Sequence, residues 1–252
     1  ENFTNRYVSS AGGHDFITGL EHDAAGNLYF ASANQGVCKV SPDGSNIDII
    51  STGVRNPNGL GVSSRGKIAV SPQEGDWSPA SMICFPEPGR HFGHGGPRDG
   101  RVDPPACFIP RGIDHATGGH VFAENPSFGP LGGHLLTLSW GNCRALLTLS
   151  ETVDGIEQAA VIPIEGEFLS GVHRGRTNPQ DGQLYLTGST GWGTYATHNG
   201  CFQRLRYTGT AAYLPISFNA HRNGMLIEFS DPLDPGSVSG EDVFAQCWNY
   251  DY

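Results

Sequence analysis

Four times along this chain the same local pattern returns: an apolar stretch holding a glycine, a tight turn closed by glycine, and a short apolar strand. The first copy is Ile17-Thr18-Gly19-Leu20, the turn Asp23-Ala24-Ala25-Gly26-Asn27, and Leu28-Tyr29-Phe30-Ala31. The second is Gly59-Leu60-Gly61-Val62, a turn at Arg65-Gly66-Lys67, and Ile68-Ala69-Val70. Gly112-Ile113-Asp114, a turn at Thr117-Gly118-Gly119, and Val121-Phe122-Ala123 make the third. Gly171-Val172-His173-Arg174, the turn Pro179-Gln180-Asp181-Gly182-Gln183, and Leu184-Tyr185-Leu186-Thr187 make the fourth. Such turns need a residue at positive φ, which glycine adopts without steric cost. Further strand material follows each copy, as in Gly36-Val37-Cys38-Lys39-Val40 with Ile47-Asp48-Ile49-Ile50. Two hairpins per unit, returning every ~40–60 residues, is the pattern of β-propeller blades.

The expected class is therefore all-β, a β-propeller with about four blades that end near Tyr207. Propellers close rings of about 4–8 blades to protect strand edges, so four blades could close by themselves, but the expected arrangement is part of a larger, six-bladed ring. The remainder would be processed away, disordered, or supplied by another chain. Residues 1–210 make up the propeller part, and residues 211–252 read as the first strands of a small immunoglobulin-like β-sandwich module. Those strands are Pro215-Ile216-Ser217-Phe218, then residues 224–229, then residues 243–250. Half a sandwich cannot bury its own face, so this module is expected to lean on the propeller or on further sequence. A β-sandwich throughout is the competing architecture, because sandwiches also set short strands between turns.

Composition agrees with many short strands and narrows the partners. Gly 36 and Pro 17 in 252 residues supply turn formers at high density. Fifteen basic residues against 25 acidic ones leave a net charge of −10, which argues against nucleic acid and against an anionic membrane surface. No apolar run reaches the length of a membrane span. The six cysteines (Cys38, Cys84, Cys107, Cys143, Cys201, Cys247) stand singly, so neither a zinc ribbon nor a haem-attachment motif is encoded. An even count in a Lys-poor chain suits disulfides in an oxidising compartment; six small buried thiols in a reduced protein are the alternative. The expected location is secreted or periplasmic, with any leader already removed. Asn2-Phe3-Thr4 fits a glycosylation sequon.

Polar residues concentrate between Arg55 and His94. Arg55-Asn56-Pro57-Asn58-Gly59-Leu60 precedes one strand, Gln73-Glu74-Gly75-Asp76 follows the next, and Pro88-Gly89-Arg90-His91-Phe92-Gly93-His94 closes the stretch. Charged and amide groups at a strand end build the floor of a polar pocket rather than a core. His91 and His94, separated by Phe-Gly, read as part of a turn, and the other histidines show no ligand spacing.

This segment resembles the pyrroloquinoline-quinone (PQQ)-dependent sugar dehydrogenases, six-bladed propellers whose equivalent blade reads Arg-Asn-Pro-Gln-Gly-Leu. The likeness returns at Arg174, ahead of the Pro-Gln-Asp-Gly turn. Within that group the chain is similar to large secreted planctomycete-type proteins that join such a propeller to a c-type cytochrome domain. The runs at 132–139, Arg174-Gly175-Arg176 and Cys201-Phe202-Gln203-Arg204 carry that closer likeness. The resemblance implies that Arg55, Asn56 and Arg174 bind PQQ, the arginines holding its carboxylates in the planar manner guanidinium suits. It implies calcium on the backbone carbonyls of Glu74 and Gly75, a hard cation on oxygen ligands. It also implies His14 as the base that takes the sugar hydroxyl proton while hydride passes to the quinone. Electrons would then go to a cytochrome c. The chain departs from the family in needing an inserted residue near His14, in lacking a pocket lysine near Trp140-Gly141-Asn142, and in placing His94 where the family has Trp.

Two functions follow. One is an exported PQQ-dependent sugar or aldose oxidoreductase; the other is a non-catalytic carbohydrate-binding or scaffold propeller within a larger assembly. Trp192, between Gly191 and Gly193, is expected either to stack on a sugar ring or to wedge between blades.

Overall fold

A computed structural model describes residues 3–8 and 16–239. His14, Cys247 and the strand expected at residues 243–250 lie outside the described residues. The architecture is all-β and propeller-like, with four blades arranged side by side.

The first blade pairs β1 (Ile17–His22), β2 (Leu28–Ser32), β3 (Gly36–Val40) and β4 (Ile47–Ser51) in antiparallel order. The second has β5 (Gly59–Val62), β6 (Ile68–Ser71), β7 (Ser81–Ile83) and β8 (Cys107–Ile109), with Val70 and Cys84 exchanging backbone hydrogen bonds to join its two hairpins. β9 (Thr117–Phe122), β10 (Leu135–Ser139), β11 (Arg144–Val153) and β12 (Ile156–Pro163) form the third. β13 (Gly171–Thr177), β14 (Leu184–Ser189) and β15 (Gly200–Leu205) form a three-stranded fourth. Two of the turns use one device. Asp23 accepts N–H groups from Ala25 and Asn27 and the Tyr29 hydroxyl, and Asp181 accepts the Gln183 N–H and the Tyr185 hydroxyl.

Three apolar cores fill the three gaps between blades. Tyr29 and Val37 meet Leu60, Val70 and Met82 in the first gap. Ala69, Ile83 and Ile109 meet Leu135 in the second. Leu136, Leu147, Leu184 and Leu186 fill the third. A strand such as Ile68-Ala69-Val70 is apolar at every position because its alternate side chains enter different cores.

The inner strands β1, β5, β9 and β13 run as neighbours at the axis. Glycine permits that approach: a Cβ at Gly19 would sit 2.7 Å from Leu60 Cβ, and one at Gly61 would sit 2.7 Å from His120 Cβ. The same requirement corrects the reading of the third unit. Thr117-Gly118-Gly119 is not a turn but the start of β9, glycine-rich because Gly118 lies directly against the Val172 carbonyl and Gly119 against that of His173.

A closed ring is not seen among the described residues. Arg176 of β13 nevertheless reaches β1, donating to the Leu20 carbonyl at 3.2 Å and to Glu21 Oε1 at 2.9 Å. The hairpin of β16 (Pro215–His221) and β17 (Gly224–Phe229) packs on the third blade, where Phe218 enters the core and Glu151 accepts from Asn219 and Ala220. No helix among the described residues is long and apolar enough to cross a membrane.

Candidate functional site

β5, β9 and β13 all begin at one end of the blades, and the polar residues gather there. The turn ahead of β5 is a hub. Asn58 turns back to donate its N–H to the Asn56 carbonyl at 2.7 Å, with Asn56 at φ +39. Thr18 of the first blade donates to the Pro57 carbonyl at 2.5 Å. Asn58 Nδ2 donates to the Thr117 carbonyl of the third blade at 3.2 Å, and Arg174 Nη1 of the fourth donates to the Asn58 carbonyl at 3.0 Å. One short turn thus contacts the other three blades.

His173 completes this cluster. Its Nδ1 lies 3.1 Å from Asn58 Nδ2 and its Nε2 3.1 Å from Ser189 Oγ. With the amide donating, Nδ1 accepts and the proton sits on Nε2. Trp140 packs its ring 5.4 Å from the imidazole and donates its own N–H to Ser189 Oγ. Burial, with help from Arg174, pulls the His173 pKa down to about 4, so the ring is neutral near pH 7.

A second polar group surrounds the loop between β6 and β7. Arg55 Nη1 donates to the Glu74 carbonyl at 2.6 Å, and the Gln73 N–H returns to the Arg55 carbonyl at 2.9 Å. Three successive residues take left-handed backbone: Gly75 at φ +114, Asp76 at φ +42 and Trp77 at φ +65. Gly75 is required, since a Cβ there would sit 2.8 Å from Arg55 Cζ. The Glu74 carboxylate pairs with Arg111 at 3.1 Å, and Asp76 with His94 at 3.1 Å. This loop and Arg111 line an open cleft of about 740 Å³. Ser78, which lines it, has a buried hydroxyl with no partner among the described residues.

Arg55, Asn56, Glu74 and Gly75 therefore share one corner, and Arg174 meets the opposite end of the same turn. Asn56 Oδ1 is buried without a partner among the described residues. The carbonyl expected to hold calcium at Glu74 already accepts a guanidinium, and no group of three or more His, Cys, Asp or Glu among the described residues is arranged for a metal. His14 lies outside the described residues. Three further residues stand at the site without having been singled out by sequence. Asn58 lies inside the Arg-Asn-Pro-Asn-Gly-Leu motif and His173 lies beside Arg174, which is the available signal; Arg111 carries none.

No protein-family model and no curated protein matches the chain. Solved structures do. One is a protein assigned as an oxidoreductase (glucose dehydrogenase) from Thermus thermophilus, 20% identical with a TM-score of 0.54, covering 72% of this chain and 62% of that one. Another is the PQQ-bound form of aldose sugar dehydrogenase from Streptomyces coelicolor, 17% identical with a TM-score of 0.48, covering 69% of this chain and 56% of that one. The chain thus spans about three fifths of the length of these neighbours. At this identity the likeness is one of fold alone, a β-propeller.

Proposed function

We propose that this chain is the cofactor-binding part of an exported sugar- or aldose-oxidising propeller that uses PQQ and passes electrons to a cytochrome c. The observation that carries this reading is the convergence of Arg55, Asn58, His173 and Arg174 on one end of the blades, beside an open cleft. Arg55 and Arg174 each donate one Nη1 to backbone carbonyls, which orients the guanidinium. Their remaining N–H groups make no hydrogen bond among the described residues, although Glu21 lies near Arg174, and they fit an anionic carboxylate. When bound, the quinone would accept hydride from the substrate. His173 lines the site as a neutral imidazole, and His14 remains the proposed base. Calcium fits less well: at the Glu74 carbonyl it would have to displace Arg55, so no step is derived through it.

The test is titration of the purified chain with PQQ, with and without calcium, followed by absorbance and calorimetry and then by dye-coupled aldose oxidation. Binding should weaken by at least about tenfold, or about 1.4 kcal/mol, in Arg174→Ala. Absence of quinone binding would sink this reading. The alternative, a carbohydrate-binding or scaffold propeller, is favoured by the arginine bonds to backbone carbonyls, which brace neighbouring blades. Glycan binding without quinone binding would support it.

A further inference from the structure

Along β15 the side chains alternate: Cys201, Gln203 and Leu205 are partly buried, while Phe202 and Arg204 are exposed. Leu205 packs on the core between the third and fourth blades, so Cys201 faces the third blade as well. On that blade Cys143 closes the β10–β11 turn, buried, with φ +53. The segment between β12 and β13 ties the two places together. Phe168 donates its N–H to the Cys143 carbonyl at 2.8 Å, and Leu169 donates to Gln203 Oε1 at 2.8 Å. Consecutive residues thus hold Cys143 and the strand face that carries Cys201. The thiols also feel each other: burial first, then Cys201, pushes the Cys143 thiol above its usual range.

We infer that Cys143 and Cys201 form a disulfide that staples the edge strand of the fourth blade to the third. Cys84 and Cys107 also lie near each other, but their thiols enter different cores. Ile83 pairs with Cys107 across β7 and β8, which turns Cys84 to the opposite face: Cys84 enters the core of the first gap and Cys107 packs on that of the second. Cys38 is buried in a separate cluster with Phe30 and Val40. The oxidant is a low-molecular-weight disulfide. The thiolate of the more exposed Cys201 attacks one of its sulfurs and releases one thiolate, leaving a mixed disulfide. The Cys143 thiolate then attacks Cys201 sulfur and releases the second. Two thiols lose two protons and two electrons, and the oxidant is reduced to two thiols.

The staple closes at the foot of loop 190–199, which carries Trp192 and Tyr195 exposed at 91% and 71%. The loop is already held to the same turn by the Tyr195 N–H on the Gly141 carbonyl at 3.0 Å. Oxidation therefore fixes an aromatic rim beside the candidate site.

The test is to equilibrate the folded chain in oxidised and reduced glutathione, alkylate free thiols, and map peptides without reduction. The expected result is one linked pair joining Cys143 to Cys201, with free thiols falling from the six of the sequence to four. Cys201→Ser should abolish the link and leave the strand circular dichroism unchanged. Cys143→Ser serves as a second variant. Equal alkylation of Cys143, Cys201 and Cys84 after oxidation, or a link from Cys201 to any other cysteine including Cys247, overturns the inference.

Discussion

Arg176 on the fourth blade and Glu21 on the first are joined by a 2.9 Å ion pair, although 155 residues separate them in sequence. The first and last described blades therefore touch at the axis. Burial raises the Glu21 pKa above its usual value even though Arg176 and Arg174 lie nearby. The pair offsets only part of the desolvation of its carboxylate.

Glu21→Gln should accordingly change stability by less than about 1 kcal/mol, because Arg176 is mostly exposed. Urea unfolding at neutral pH measures this. A loss well beyond that range would mean that the pair holds the blades together.

Gly75→Ala should distort the loop after β6. The left-handed backbone and the Arg55 guanidinium both oppose a Cβ at that position. An expected destabilisation of about 1–3 kcal/mol should accompany loss of the Arg55 bond to Glu74. Unfolding midpoints report the first effect, and accelerated amide exchange of Gln73 reports the second. Unchanged exchange would contradict it.

Asp114 and His120 should shape the acid stability profile in opposite senses. Burial lifts Asp114 to about 6 from 3.8, even though it accepts the Ser139 hydroxyl at 2.6 Å. The folded state holds that proton more tightly than the unfolded one. Its contribution, roughly 3 kcal/mol, is therefore fully present below pH 3.8 and lost as pH rises through 6. Burial drops His120 to about 3 from 6.5, between the hydroxyls of Ser71 and Thr137. Its contribution is present above pH 6.5 and lost as pH falls towards 3. Asp114→Asn should flatten the profile between pH 3.8 and 6, read from unfolding midpoints; an unaltered slope would refute the assignment.

Phe218→Ala should release the β16–β17 hairpin from the third blade while the blades stay folded. Phe218 is buried among Leu147 and its neighbours, so truncation should cost about 3–5 kcal/mol at that contact. Limited proteolysis is expected to cut near residues 208–214 in the variant. Loss of blade strand signal instead would show that the hairpin belongs to the propeller core.

The repeating glycine turns are enough to specify the fold class, the blade count, the strand pairs of the first and fourth blades and the first hairpin of the second, but not its β7–β8 pair. Turn chemistry and apolar runs act over a few residues, and those are written in order along the chain. Thr117-Gly118-Gly119 misled because glycine serves both turns and close inter-blade contact, and only the approach of β13 to β9 tells which. Arg55, Asn56, Glu74, Gly75 and Arg174 are pointed to by the resemblance of short local motifs, whereas their partners are not. The bond from Arg174 to Asn58 spans 116 residues, and no local signal encodes it. Short strands, their turns and a polar cluster at one strand end are dictated by residue order alone, because they follow from backbone sterics and burial. That Arg55 caps the Glu74 carbonyl, that burial draws the His173 pKa down and that Phe168 and Leu169 tie the Cys143 turn to the strand carrying Cys201 are decided only by packing in three dimensions. Each depends on blades meeting around a common axis, where desolvation and proximity arise only after distant strands have come together.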